Sequence, residues 1–295
     1  MNIARTEHHL LPVFSLLLTA SMWGMVWYPL RLLEQAGLGG LWSSLVSYGT
    51  LLVLFAWLLV RERRQLAAYL PGLVMLGLGA GWCNVAFILA VLEGNVVRVL
   101  LLFYLSPFWA VVLGWFLLDE RLDRQSLLVF VLAVVGALTM LWNEEVGVPW
   151  PRGPADWLAV SSGFGFALSN VYVRRLQAVS VSLKSACSWV GVVLVAVAWI
   201  VLLEPGVPAA GARVWLGAVA LGLCGFLVMT FAVQYGVTRM PVHRSAVILL
   251  FELVVGAVSS LLLTDETVLA REWFGGALIV LAAWLAARIH AGESV

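Results

Sequence analysis

Glu252 stands deep in the apolar run Val242–Thr264, where a carboxylate costs about 3 kcal/mol unless it is paired or used. At that depth it either carries a proton or binds an ammonium. The plainer alternative is a hydrogen bond to a neighbouring helix. Other apolar runs supply rings and small polar groups. Trp23 and Trp27 are four residues apart and share one helical face, with Tyr28 beside them. Gly77, Gly81 and Asn84 lie on one side of the third run, with Trp82 and Phe87 on others. Tyr104 and Phe108 are again four apart, and Ser162, Gly165, Ser169 and Tyr172 form a small, polar stripe. Rings of this kind stack on a partly apolar solute, while Asn and Ser groups satisfy an ammonium or a carboxylate. The same faces equally serve tight helix packing. The candidates for solute binding are therefore Trp23, Trp27, Trp82, Asn84, Tyr104, Phe108, Ser169 and Glu252.

Arg98 and Arg244 each follow a short break, Glu93-Gly94-Asn95 and Thr238 to Pro241. As gating residues they would pair with acids or solute carboxylates when one side closes. The alternative is snorkelling of a long side chain to the membrane surface. His243 neighbours Arg244, whereas His8, His9 and His290 lie on tails. Cys83, Cys187 and Cys224 fall in separate apolar runs, with neither a disulfide framework nor metal-ligand spacing. No phosphate-binding P-loop is present, which argues against ATP-driven chemistry by this chain alone. No cofactor is expected, and no basic run suggests nucleic acid.

The elements that must hold these residues follow from composition. With 63% hydrophobic and 11% charged residues in 295, against roughly 25% charged in a soluble domain, the chain carries too much apolar surface for a water-soluble fold. A hydrocarbon core of about 30 Å takes about 20 apolar residues per helix. Ten runs fit, at Leu11–Leu33, Leu41–Val60, Leu70–Leu92, Val96–Leu118, Gln125–Trp142, Ala155–Leu176, Leu183–Leu203, Val214–Val237, Val242–Thr264 and Trp273–Arg288. Bare backbone must be satisfied within the bilayer, so the runs are helices; continuous apolarity excludes the alternation of a barrel. The expected fold is an all-α integral membrane protein. The longest polar stretch, around Asn143 to Asp156, is too short to be a domain.

Arg98 to Glu120 and Arg244 to Glu266 match at a constant offset of 146 residues, with Asp119-Glu120 answering Asp265-Glu266 and Ser106 answering Glu252. Tyr28 and Arg31 match Tyr172 and Arg175 at 144. Residues 1–148 and 149–295 thus form two repeats within one membrane domain. Five spans per half is odd, so the halves enter the membrane in opposite directions, as ten helices in two inverted five-helix repeats. Inverted repeats are a recurrent plan of secondary transporters, in which either half can adopt the other's conformation; a duplicated bundle that simply packs well is the other reading. With the N-terminus inside, only Arg31, Arg98, Arg152, Arg213 and Arg271 of the 17 Lys and Arg fall outside. By the positive-inside rule both termini are cytoplasmic. One Arg and two His precede Leu11 without a cleavage site after the first run, so that run is expected to be retained as a span.

The segment Ser106-Pro107-Phe108-Trp109-Ala110-Val111-Val112-Leu113-Gly114-Trp115-Phe116-Leu117-Leu118-Asp119-Glu120 resembles the end-of-fourth-span signature of the drug/metabolite transporter superfamily, EamA type. Each half there tends to carry Glu-Pro, an apolar stretch ending in Gly, and Gly-Glu at the membrane edge. This chain keeps Pro107, Gly114 and Glu120 with Ser106 for the first Glu; the second half keeps Glu252 and Glu266 with Leu253 for the Pro. The resemblance covers nearly the whole chain. Within the superfamily, the tryptophan-rich first span and the length are similar to the YddG-type amino-acid exporters. The resemblance implies a non-enzymatic exporter of aromatic and other neutral amino acids, in a bacterial cytoplasmic membrane. Its central cavity would be lined mainly by spans 1, 3, 4, 6, 8 and 9, with no ATPase subunit and with protons as a possible partner. A nucleotide-sugar carrier would need basic cavity groups, and no Lys or Arg falls at mid-span. A multidrug carrier of cations would need deep carboxylates, of which only Glu252 qualifies. An intramembrane enzyme would need paired polar groups at depth, and no His or Asp falls there.

Overall fold

The computed structural model describes residues 3–142, 150–203, 206–264 and 268–293. Asp265 and Glu266, the anchors of the second repeat, lie outside them. The regular secondary structure of the described residues is helical, without strands. In chain order the helices are α1 (Ile3–Gln35), α2 (Gly40–Phe55), α3 (Trp57–Arg61), α4 (Arg63–Ala68), α5 (Leu70–Glu93), α6 (Val96–Phe103), α7 (Ser106–Leu118), α8 (Arg124–Leu141), α9 (Pro154–Arg175), α10 (Val181–Leu203), α11 (Ala212–Ala220), a π-helical segment (Leu221–Phe226), α12 (Leu227–Arg239), α13 (Val242–Leu249), α14 (Phe251–Leu263) and α15 (Ala270–Glu293). Eight helical rods are long and apolar enough to cross a membrane, and Gly40–Phe55 is a shorter apolar helix. The remaining expected span is α9, a full-length helix whose Asp156, Ser161, Ser162, Ser169 and Asn170 keep it short of that composition.

Helix starts are set by local chemistry. The Asn95 side chain accepts from the Arg98 backbone N–H (3.1 Å) to cap α6, and Asp123 accepts from Ser126 N–H (2.9 Å) to cap α8. Each satisfies an N–H that the first turn leaves orphaned. At the end of α7, Asp119 adopts a left-handed conformation (φ 56°), which costs a non-glycine residue about 1 kcal/mol. That turn reverses the chain over the helix end, where Glu120 N–H bonds Gly114 O (3.1 Å).

The packing has the symmetry of the inverted repeats. In the second half α9 packs against α5, α6 and α7 of the first, while α1 of the first half packs against α12, α13 and α14 of the second. Exchanging the halves exchanges the two sets. Two further close pairs, α2 with α10 and α8 with α15, join equivalent helices across the repeat. Glycines set the closest approaches. A side chain on Gly191 would meet the Gly77 backbone where α5 crosses α10. On the other side of α5, a Cβ on Gly79 would lie 3.0 Å from Gly165 O of α9. For Gly77 and Gly81, packing is thus what the structure supports.

Candidate functional site

Spans 4 and 9, expected as continuous helices, are both broken in the middle. Pro107 has no N–H to return to Phe103 O, and the chain turns at Tyr104 and Leu105 between α6 and α7. The second break falls at Leu250, which is 146 residues after Tyr104 and so at the equivalent place. It forms without a proline. Leu253 N–H bonds Leu250 O (3.0 Å) in a tightened turn instead. Broken helices are tolerated at membrane depth where they are buried in protein or line a cavity.

Glu252 occupies the first turn of α14, where the helix dipole favours a negative charge by about 0.3–1 kcal/mol. The Tyr104 hydroxyl lies within electrostatic reach of its carboxylate, so the two breaks face each other across the repeat. Rings continue outward from this pair. Phe103 lies 5.3 Å from Tyr104, 5.0 Å from Phe87 and 5.9 Å from Phe166, and Phe166 lies 5.6 Å from Trp23, all in edge or tilted contacts. Such contacts are worth about 0.5–1.5 kcal/mol each beyond burial. Cys83 of α5 lies within electrostatic reach of Glu252. All these side chains are half-buried, although they meet between α1, α5, α6, α9 and α14. Each therefore keeps part of its surface accessible.

The other candidates are placed differently. Trp27 shares a helix with Trp23, but its Nε1 donates to Ser259 Oγ (2.9 Å) and its ring meets Tyr28 at 5.6 Å, bracing α1 against α14. Trp82 Nε1 donates to Ser161 Oγ (3.1 Å) of α9 and its ring lies 6.4 Å from Trp199. Asn84 is half-buried, with Oδ1 inaccessible and without a hydrogen-bond partner. Ser169 backbone packs 3.0 Å from where a Cβ on Gly79 would stand, and Ser162 Oγ donates to Cys83 O (2.8 Å). Both belong to the α5–α9 contact. Phe108 stands apart: 52% exposed, it joins exposed Leu105, Trp115 and Phe116 on the outer face of α7.

At the helix ends, the two arginines are engaged. Arg98 Nε pairs with Asp156 (2.8 Å), and its Nη2 donates to Trp150 O, tying α6 to the start of α9. Arg244 is buried, with Nε 3.4 Å from Ser126 Oγ. Next to it, hydrogen bonds from the Ser126 side chain and backbone, then the Arg244 charge, hold the Asp123 carboxyl below the usual carboxylate range.

Two groups were not singled out by residue type and spacing. The Glu120 carboxylate takes Arg174 Nε on one oxygen (2.8 Å) and Val242 N–H on the other (2.7 Å), joining α7, α9 and α13. Lys184, fully buried, donates to Val173 O (3.2 Å) and Thr238 Oγ1 (2.5 Å), near the ends of α9 and α12. There the carbonyl ends of two helices supply the negative potential a cation needs. Glu120 lay in the repeat motif, and Lys184 carried no signal beyond its place near the start of a span. Elsewhere, a groove of about 580 Å³ between α8, α14 and α15 includes none of the candidates. Among the described residues no cluster of His, Cys, Asp and Glu could hold a metal.

A family model described as the EamA-like transporter family matches residues 10–142 and again 153–288. No curated protein sequence matches the chain. Solved structures do: 27 chains match. One of them, titled only "Crystal structure of protein", has a TM-score of 0.71 and 18% identity, over 96% of this chain and 98% of that chain. At that identity the likeness shows the fold.

Proposed function

The chain belongs to the EamA-like transporter family, and on that premise we propose that it is a secondary exporter of small metabolites bearing an amino group, amino acids foremost, by alternating access. In this reading the chain crosses a bacterial cytoplasmic membrane ten times with both termini in the cytoplasm, residues 1–148 and 149–295 being the two repeats. The observation that carries the proposal is the juxtaposition of Tyr104 and Glu252 where two broken rods meet. A carboxylate at that level offers an ammonium a partner, and the rings from Trp23 to Phe87 offer a face to an apolar side chain. The tryptophan-rich first span supports the narrower likeness to YddG-type amino-acid exporters. Energy comes from the solute gradient or from protons taken up by Glu252.

Counterflow in proteoliposomes with a panel of labelled amino acids tests the proposal. Exchange of aromatic and other neutral amino acids is expected. Failure of every member of the panel to exchange would remove the substrate class and leave the fold.

A further inference from the structure

Every described Lys and Arg lies in a connection or within the first or last two turns of a helix. Glu252 lies about midway along the α13–α14 rod. The middle of the bundle therefore holds a carboxylate and no opposing cation. Of the neutral donors on the surrounding helices, Trp27 Nε1 donates to Ser259, Trp82 Nε1 to Ser161 and Ser162 Oγ to Cys83 O, while the Trp23 indole N–H and the Tyr104 hydroxyl carry no charge. Asn84, next to Cys83 in sequence, is neutral, and one amide does not neutralise a carboxylate. The ring faces of Trp23, Phe166 and Phe103 attract a cation through their quadrupoles and repel an anion.

From this asymmetry we infer that the site reads the ammonium of its solute and gives a carboxylate no cationic partner, so that amines whose carboxyl is absent or amidated bind in preference to the parent amino acids. The inference rests on the transporter reading above and narrows it. An amino acid entering this site must leave its carboxylate in water or desolvate it unpaired, a penalty that corresponds to about tenfold or more in affinity. The class is a monocation with an aromatic or aliphatic side chain.

Titration calorimetry on the detergent-solubilised full-length protein, with phenylalanine, phenylalaninamide, phenethylamine and 3-phenylpropionate, decides it. The amide and the amine are expected to bind about tenfold tighter than phenylalanine, with no binding of 3-phenylpropionate. In Glu252→Gln the three amines fall to similar weak affinity, and in Glu252→Asp, which keeps the charge, the ranking survives. The wild-type ranking is sufficient by itself if Glu252→Gln does not fold. Phenylalanine binding as tightly as its amide would overturn the inference and leave the transporter reading intact. Absence of binding by all four probes would overturn it too, and the transporter reading falls as well only if the amino-acid panel also fails to exchange.

Discussion

The Tyr104 hydroxyl reaches the Glu252 carboxylate from the opposite repeat. Each residue lies at a helix break, and the two breaks are separated by the same 146 residues as the sequence repeat. The pair therefore joins equivalent levels of two inverted halves, with different chemistry on each side. Tyr104 corresponds to Leu250, and Glu252 to Ser106.

Replacing Tyr104 by Phe removes the donor and keeps the ring. Hydrogen bonds to charged groups are worth about 1.5–3 kcal/mol, so Tyr104→Phe is expected to change apparent solute affinity about tenfold or more while thermal stability in detergent changes little. Binding isotherms with unchanged affinity would assign the hydroxyl no part in the site.

The ring row and the outer face of α7 separate two uses of aromatic residues. Phe166→Ala and Trp23→Ala remove half-buried rings of the row that leads to Tyr104, and transport should fall severalfold. Phe108→Ala removes a ring from the outer face and should leave the initial rate of counterflow unchanged. Equal losses from Phe108 and Phe166 would mean that the face of α7 bearing Phe108 also lines the path.

Much of this was legible in the sequence because lipid imposes few solutions. The apolar runs located most helices within two residues, although α1 begins at Ile3 and not Leu11, span 2 divides after Phe55, and α15 runs from Ala270 to Glu293 and not from Trp273 to Arg288; the constant offset exposed the repeat. The breaks inside spans 4 and 9 were not legible, since hydropathy is blind to an interruption that stays apolar: Tyr104-Leu105 and Leu250 carry no polar signal. Pro107 hinted at the first, and Leu253 concealed the second. Spacing placed Tyr104 and Phe108 on neighbouring turns, but the intervening break sends them to different surroundings. Ser169 fitted two readings, and its backbone packs against Gly79. Tertiary partners such as Asp156 for Arg98 and Arg174 for Glu120 cannot be read from local pattern.

The α5–α10 crossing predicts a stability effect. Gly191→Ala puts a methyl group into the Gly77 backbone, and overpacking of this kind costs about 1–3 kcal/mol. A lower melting temperature in detergent is expected, and one equal to that of the wild type would show that the helices separate at no cost.

The Glu120–Arg174 pair should behave as a coupled unit. In a double-mutant cycle of Glu120→Gln and Arg174→Gln, read by thermal unfolding, a coupling of at least about 1 kcal/mol is expected, at the upper end for surface pairs, because both side chains are largely shielded. Strict additivity would reduce the contact to a surface ion pair of no consequence for holding α7 against α9.

The central claim, that Glu252 and Tyr104 form the solute site of a transporter, is met most directly by counterflow of labelled phenylalanine in proteoliposomes containing either the wild-type protein or Glu252→Gln. The account predicts exchange by the wild type and a loss of at least about tenfold in the variant, which still elutes as a folded protein. Exchange by Glu252→Gln at the wild-type rate would contradict it.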